Sequence, residues 1–141
     1  MYKLLEHFHD LGNEYHLTFS IRQVLNNCLL GLDPARRKIL VVTSEDDMFY
    51  SFVIDLNNVR HFSVRKVYGT IEAGDLNNGR LEQYLKKIVL HFELDGRPSV
   101  DIVFYHNREN NFYEIQDLEQ SAKHWEAILT NLQTPLRKIA V

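Results

Sequence analysis

The chain has 141 residues, of which 45% are hydrophobic and 25% charged, with a net charge of −3 and one cysteine. This composition is typical of a folded globular domain and argues against a disordered or collagen-like chain. The acidic balance gives no general attraction to nucleic acid or anionic lipid. The sequence has no 18-residue apolar run and no signal-peptide core. We therefore predict a cytoplasmic protein, with association at the inner face of the membrane as the alternative.

The first quarter of the chain predicts a short helix followed by a strand. An amphipathic pattern over residues 2–11 predicts a helix that ends at Gly12. The next segment has two interpretations. Residues 20–23 fit a capping box that opens a short helix, and a continuous strand over residues 19–25 is the alternative. The apolar run at residues 28–32 then predicts the first strand of the sheet.

The second quarter predicts a turn and three strands. Residues 33–38 combine a proline with charged side chains, which is typical of a turn. The short β-branched run at residues 39–42 predicts a strand. Alternating apolar residues over 50–56 predict a half-buried strand. Asn57-Asn58 then predicts a tight hairpin turn, because asparagine tolerates left-handed backbone, and residues 59–68 form the return strand.

The third quarter predicts an irregular loop and a second hairpin. Glycines punctuate residues 69–85, and residues 80–86 suit one helical turn. Alternation over residues 88–94 predicts a strand. Asp95-Gly96 is a strong hairpin signal, and the return strand follows at residues 100–104.

Residues 111–132 predict one long amphipathic helix. Its apolar side chains recur in steps of three and four, the spacing of a single buried stripe. They are Ile115, Leu118, Ala122, Trp125, Leu129 and Leu132. A capping box at residues 111–114, or another at 117–120, would begin the helix. Pro135 should end it, and the single tryptophan, Trp125, is the predicted structural anchor.

These elements predict an α+β fold. We expect a bent antiparallel sheet or partly open barrel of six to seven strands, capped by the C-terminal amphipathic helix, with a short N-terminal helix. The order resembles the pleckstrin-homology-like fold through residues 54–59, the hairpin at Asp95-Gly96 and the helix with Trp125. The resemblance implies that the last helix plugs one end of the barrel. The predicted segments are an N-terminal helical extension at 1–24, the domain at 25–133 and a C-terminal tail at 134–141.

Three motifs also resemble an uncharacterised family of small Bacteroides-type bacterial proteins. They are Gly31-Leu-Asp33, Arg36-Arg-Lys38 and the segment 63–69, which reads Ser-Val-Arg-Lys-Val-Tyr-Gly. Some members of that family carry a membrane segment ahead of this domain. The resemblance implies no catalytic residues.

Side chains with catalytic or metal-binding chemistry are scattered along the sequence. The seven histidines lack the spacing of a metal site, so no metal or cofactor is predicted. Cys28 lies in an apolar strand, which favours a buried thiol over a nucleophile. The segment with Gly69, Gly74 and Gly79 lacks the Gly-Lys-Ser/Thr sequence that ends a phosphate-binding loop. It is therefore predicted to be a mobile loop, which could serve in recognition. An enzyme is therefore not predicted.

Two basic clusters are the candidate binding residues: Arg36, Arg37 and Lys38 on the first hairpin, and Arg60, Arg65 and Lys66 on the strand at 59–68. In phosphoinositide-binding members of the pleckstrin-homology fold, basic residues around the first hairpin hold the headgroup. The resemblance therefore implies phospholipid-headgroup binding by the first cluster as an alternative function. Nucleic acid is not a predicted partner.

The leading prediction is a non-enzymatic binding or scaffold module for another protein or for a second copy of itself. Aromatic residues at strand spacing, including Tyr50 and Phe52, are expected in the core. Tyr105, Phe112 and Tyr113 flank the last loop and are predicted to form an exposed patch for a partner. A further alternative is a small enzyme or ligand carrier with its site in the barrel mouth, built from His91, Glu93 and His106.

Overall fold

A computed structural model describes residues 2–72, 74 and 81–139. They form an α+β fold with seven antiparallel strands in two open sheets, which confirms the predicted class and strand number. The elements are α1 (Tyr2–Glu14), β1 (Ile21–Val24), β2 (Cys28–Asp33), β3 (Lys38–Glu45), β4 (Met48–Asp55), β5 (Val59–Tyr68), β6 (Leu85–Leu94), β7 (Val100–His106) and α2 (Ile115–Ile139).

The chain divides into two units, Met1–Val59 and Arg60–Val141. The first unit holds α1 and the sheet β1-β2-β3-β4, and the second holds the sheet β5-β6-β7 and α2. Each unit therefore pairs one sheet with one helix. The predicted segment boundaries at residues 25 and 134 stay a prediction.

In the first unit, α1 covers one face of the four-stranded sheet. Leu4 and Phe8, one turn apart on α1, pack in a cluster with Leu29, Leu40 and Val42 of the sheet. The helix continues through Gly12 to Glu14, so the expectation that Gly12 ends it was wrong. A Cβ atom at Gly12 would lie 2.8 Å from the ring of Phe19, which explains the glycine as a site of close approach.

The ambiguous segment after α1 is a strand. Ile21–Val24 pairs antiparallel with β2, and the Ser20 amide donates to the Leu32 carbonyl at 3.0 Å. The interpretation of residues 20–23 as the start of a helix was wrong, because pairing with β2 satisfies this backbone along its length. Cys28–Asp33 is consequently the second strand of the sheet and not the first.

The turn after β4 differs from the prediction. Leu56–Asn58 forms a 3-10 turn capped by Asp55, whose carboxylate accepts from the Asn57 amide at 3.0 Å. The strand that follows, β5, belongs to the other sheet, so Asn57-Asn58 does not close a hairpin. Left-handed backbone occurs instead at Asp46 and Asp47, with φ values of 50° and 63°, which close the β3–β4 hairpin.

In the second unit, α2 packs on β6 and β7. The predicted stripe faces the sheet: Ile115, Ala122, Trp125 and Leu129 are buried, and Leu118 and Leu132 are partly buried. The Asp95-Gly96 hairpin signal is confirmed, and Gly96 has the left-handed φ of 65° that favours glycine. A 3-10 turn at Leu81–Tyr84 confirms the helical turn predicted before β6, whereas Gly79 lies outside the described residues.

The start of α2 decides between the two predicted capping boxes, and its end differs from the prediction. Asn111 and Glu114 form the capping box, and the helix begins at Ile115 after a 3-10 turn. The helix then continues past Pro135 to Ile139, so the expectation that this proline ends it was wrong. Proline within a helix costs about 3 kcal/mol, but its fixed φ of about −65° is compatible with helical backbone, so it destabilises a helix without excluding one.

Candidate functional site

Arg36 of the first basic cluster is bound to a carboxylate of its own turn. Its Nη1 lies 3.2 Å from Oδ2 of Asp33, which is only 1% exposed. The same carboxylate accepts from the Thr18 amide at 2.9 Å and from the Arg36 amide at 3.1 Å. Burial alone would raise the pKa of Asp33, but these hydrogen bonds and the guanidinium together hold that pKa below its usual value. Arg36 therefore acts as the partner of a buried acid.

The other two members of that cluster also have neighbours. Arg37 has a left-handed φ of 56°, and its Nε donates to the side-chain oxygen of Asn57 at 2.9 Å. Lys38 begins β3 directly opposite Asp55 of β4. Arg36 and Arg37 are thus hydrogen-bonded to neighbouring side chains, and Lys38 lies opposite an acidic residue in the strand register.

Each member of the second basic cluster lies beside a carboxylate. Arg60 lies 3.3 Å from Asp95 and Arg65 lies 3.7 Å from Glu93. Lys66 Nζ lies 2.9 Å from Glu119 Oε2 on α2, and Lys123 contacts the same oxygen at 3.2 Å. The hydrogen bond between Lys66 and Glu119 is the main cause that raises the pKa of Lys66 and lowers that of Glu119. These three ion pairs lie within the second unit, so they leave no row of unmatched positive charge on β5.

The residues predicted for a barrel mouth do not converge. His91 lies opposite Asp101, with 2.6 Å between its Nδ1 and the carboxylate, whereas Glu93 pairs with Arg65. His106 lies opposite Lys87, four residues before His91 on β6 and so ~13 Å away along the strand. Because the three side chains contact different neighbours, their geometry supplies no joint acid–base or metal chemistry.

Cys28 also lacks the setting of a nucleophile. Its side chain is partly buried opposite Thr43. Burial raises the pKa of the thiol and outweighs the opposing hydrogen bond with Thr43. Within the described ranges, 2–72, 74 and 81–139, no three His, Cys, Asp or Glu side chains come together in a way that could hold a metal ion.

The predicted aromatic patch is smaller than expected. Phe112 and Tyr113 are exposed and line a surface groove of about 430 Å³ with Tyr68 and Leu81. Tyr105 is buried, so its place in the patch was wrong. The register of β6 and β7 shifts at Ile88–Val89, which inserts an extra residue into β7. Such a bulge changes the direction of side chains along the strand, and Tyr105 is buried together with Phe104.

Strand β4 is the strongest unassigned feature of the described residues. It is an edge strand, hydrogen-bonded to β3 on one side. Four of its large hydrophobic side chains are exposed: Met48 by 58%, Tyr50 by 52%, Phe52 by 38% and Val53 by 37%. The expectation that Tyr50 and Phe52 lie in the core was therefore wrong. Their alternation correctly indicated a strand, but an edge position leaves part of that strand uncovered.

The other three sheet edges in the described residues carry protection against strand pairing. Proteins blunt such edges by short strands, charges, prolines or bulges. β1 has four residues and includes Arg22, β5 carries Arg60, Arg65 and Lys66, and β7 contains the bulge. Residues 48–54 contain no charge, no proline and no glycine, and β4 pairs with β3 without a register shift. β4 is therefore an unprotected edge.

The outward-facing backbone groups of β4 follow from its ladder with β3. The Leu56 amide donates to the Arg37 carbonyl at 2.8 Å, which continues the β3–β4 register. Inward and outward groups alternate along an antiparallel strand. The even-numbered residues therefore bond to β3, and Phe49, Ser51, Val53 and Asp55 direct their amides and carbonyls outward. Tyr50 and Phe52 share the face of β4 that also carries the buried Ile54.

Comparison with known proteins adds no functional information. No family model matches the chain, and neither a curated protein nor a solved structure does. The resemblances to the pleckstrin-homology-like fold and to a Bacteroides-type family stay predictions. Among the described residues, no helix has the length and apolar character needed to cross a membrane.

Proposed function

We propose that this chain is a protein-binding module that adds an extended strand of a partner to the β4 edge. The observation that carries the proposal is the combination of unpaired backbone groups and exposed aromatic side chains on one unprotected strand. In strand addition, main-chain hydrogen bonds supply affinity, and alternate side chains supply specificity. β4 offers both kinds of contact within eight residues.

The chemistry of β4 defines the partner segment. The outward groups of Phe49, Ser51, Val53 and Asp55 require an extended backbone with free amides, which disfavours proline at the pairing positions. Tyr50 and Phe52 favour apolar or aromatic side chains on the same face. A strand with alternating apolar residues and without charges in its centre meets these requirements.

The two alternative functions have weaker support. Phospholipid-headgroup binding would compete with the contact of Arg36 with Asp33 and with that of Arg37 with Asn57. An enzyme or ligand carrier built on His91, Glu93 and His106 would need side chains that contact different neighbours to come together. Sedimentation with phosphoinositide vesicles separates the first alternative from protein binding. Cosedimentation that disappears on replacing Arg36, Arg37 and Lys38 by alanine would favour it.

The test of the proposed function is site-specific photo-crosslinking in the producing cells. A benzophenone amino acid replaces Tyr50, and the control carries it at Tyr113, which is 79% exposed on the other unit. We expect protein adducts at position 50 that are absent at position 113, with the crosslinked partner peptide identified by mass spectrometry.

Ser51→Pro supplies the matched loss-of-function variant. The Ser51 amide faces outward, so proline there removes a donor for the partner and no hydrogen bond to β3. Unchanged circular dichroism and loss of the position-50 adducts would support strand addition. Absence of adducts in the parent protein, or adducts that persist in a folded Ser51→Pro variant, would overturn it.

A further inference from the structure

We infer that the strand added to the β4 edge is β4 of a second copy of this chain, paired antiparallel about a two-fold axis at Phe52. This inference rests on the proposed function and names its partner. The first observation in its support is that β4 itself has the features required of a partner strand. Residues 48–54 are extended, uncharged and mostly apolar, so the charge that a second copy brings to the paired residues is limited to Asp55 at the end of β4.

Symmetry restricts how two copies of β4 can pair. A two-fold axis perpendicular to the sheet makes one residue lie opposite itself and keeps Tyr50 and Phe52 of both copies on one face. The hydrogen-bonded positions must be the outward-facing residues 49, 51, 53 and 55. Axes at Ser51 and Phe52 overlap seven of the eight residues of β4, whereas axes at Tyr50 and Val53 overlap five.

Charge and hydrogen bonding select among these registers. An axis at Tyr50 overlaps residues 48–52 and joins the copies by about four backbone hydrogen bonds. An axis at Ser51 joins the copies by about six backbone hydrogen bonds. It also places Asp47 opposite Asp55 of the other copy, and like charges directly opposite each other are destabilising. An axis at Phe52 overlaps residues 49–55, gives about eight hydrogen bonds, and places Asp55 opposite Phe49. The last register is therefore preferred.

Side-chain geometry agrees with that register. Phe52 lies at a position that is not hydrogen-bonded between the copies, where opposite Cα atoms approach to about 4.5 Å and side chains meet most closely. The two Phe52 rings consequently face each other at the axis, and Tyr50 lies opposite Ile54 of the other copy. The exposed aromatic surface of each β4 is covered by the same surface of its partner.

The same arrangement limits growth to a dimer. A two-fold contact uses the β4 edge of both copies, so the joined eight-stranded sheet ends on β1 at each side. β1 has four residues and carries Arg22, which protects it against further pairing. The edge chemistry of this sheet therefore predicts a closed pair and not a fibre.

The first test is sedimentation velocity of the intact chain over a range of concentrations. We expect a species of twice 16.7 kDa that dissociates on dilution. Ser51→Pro and, as a second variant, Val53→Lys should each be monomeric with unchanged circular dichroism, whereas Arg22→Ala on the opposite edge should still dimerise. A dimer that survives in the folded β4 variants would overturn the inference.

The second test reads the register by disulfide trapping in a Cys28→Ser background. In the proposed dimer, the Cα atoms of the two residues 52 are close enough for a disulfide between Phe52→Cys side chains. The Cα atoms of the two residues 51 are too far apart for a disulfide between Ser51→Cys side chains. We expect covalent dimer from Phe52→Cys and several-fold less from Ser51→Cys. The opposite order would overturn the Phe52 axis.

Failure of this inference is distinguishable from failure of the proposed function. A monomer at all concentrations, with position-50 photo-adducts to a different protein, would exclude the second copy and retain strand addition. A monomer with no adducts at position 50 would exclude both. Adducts between two copies of this chain, lost in Ser51→Pro, would support both.

Discussion

The guanidinium of Arg36 lies 3.2 Å from the buried carboxylate of Asp33, three residues earlier in the same turn. The arginine that the sequence suggested for a lipid headgroup thus already binds an anion supplied by the protein. Asp33 in turn joins the segment that precedes β1 to the β2–β3 hairpin, through its bond from the Thr18 amide. These contacts give this part of the basic cluster a structural role.

Asp33→Asn should destabilise the protein by about 1–3 kcal/mol, because it weakens charge-assisted hydrogen bonds and leaves buried donors poorly matched. Urea unfolding at pH 7 measures the loss. Glu14→Gln, at an exposed position, is the control and should change stability by less than about 0.5 kcal/mol. Equal effects of the two variants would mean that the Asp33 contacts contribute nothing specific.

The stabilisation from Asp33 should depend on pH. Its folded-state pKa is lowered, whereas the unfolded value is about 3.9. The group therefore contributes its full stability above about pH 4 to 5 and loses it as the pH falls through the lowered folded pKa. We expect the stability difference between the parent and Asp33→Asn to shrink from pH 7 to pH 3 in urea titrations. A difference that stays constant would contradict this assignment.

Gly31→Ala should destabilise the first unit by about 1–3 kcal/mol through overpacking. An added Cβ atom would lie 2.7 Å from the rings of both Phe8 and Phe19. Gly69→Ala is the matched control, since its nearest neighbour would be 3.7 Å away. Thermal unfolding of the two variants should therefore differ clearly, and similar melting temperatures would show that the two rings move aside at little cost.

Trp125→Ala should lower the free energy of unfolding by about 3–5 kcal/mol, because the ring is fully buried between α2 and its sheet. Tyr113→Ala, at a largely exposed position, should have little effect and serves as the control. Denaturant unfolding followed by far-ultraviolet circular dichroism makes the comparison without the tryptophan signal. Similar midpoints for the two variants would mean that the helix is not held by Trp125.

Local sequence patterns predicted most of the second unit. The stripe from Ile115 to Leu129, the Asn111–Glu114 capping box and the Asp95-Gly96 hairpin all depend on contacts between residues close in sequence or on a regular helical period. Two of the errors arose where a distant contact outweighed the local signal. Gly12 is explained by the ring of Phe19, and residues 20–23 form a strand because β2 lies beside them.

The candidate site shows the same division. The uncharged run at residues 48–54 is visible in the sequence, but its alternation suits a half-buried strand whether central or at an edge. Tyr50 and Phe52 therefore looked like core residues. Only the order of strands reveals that β4 has one neighbour and that these side chains stay exposed.

The sequence by itself determined the α+β class, the long C-terminal helix and most strand positions, because side-chain periodicity and turn chemistry act over a few residues. The tertiary structure decided that the strands divide into two sheets, that four of the six candidate basic side chains lie beside carboxylates, and that β4 is an open edge. Those features depend on which strands become neighbours. Strand pairing is decided by the burial of apolar residues that are distant in sequence, and the spacing of residues along one segment does not report it.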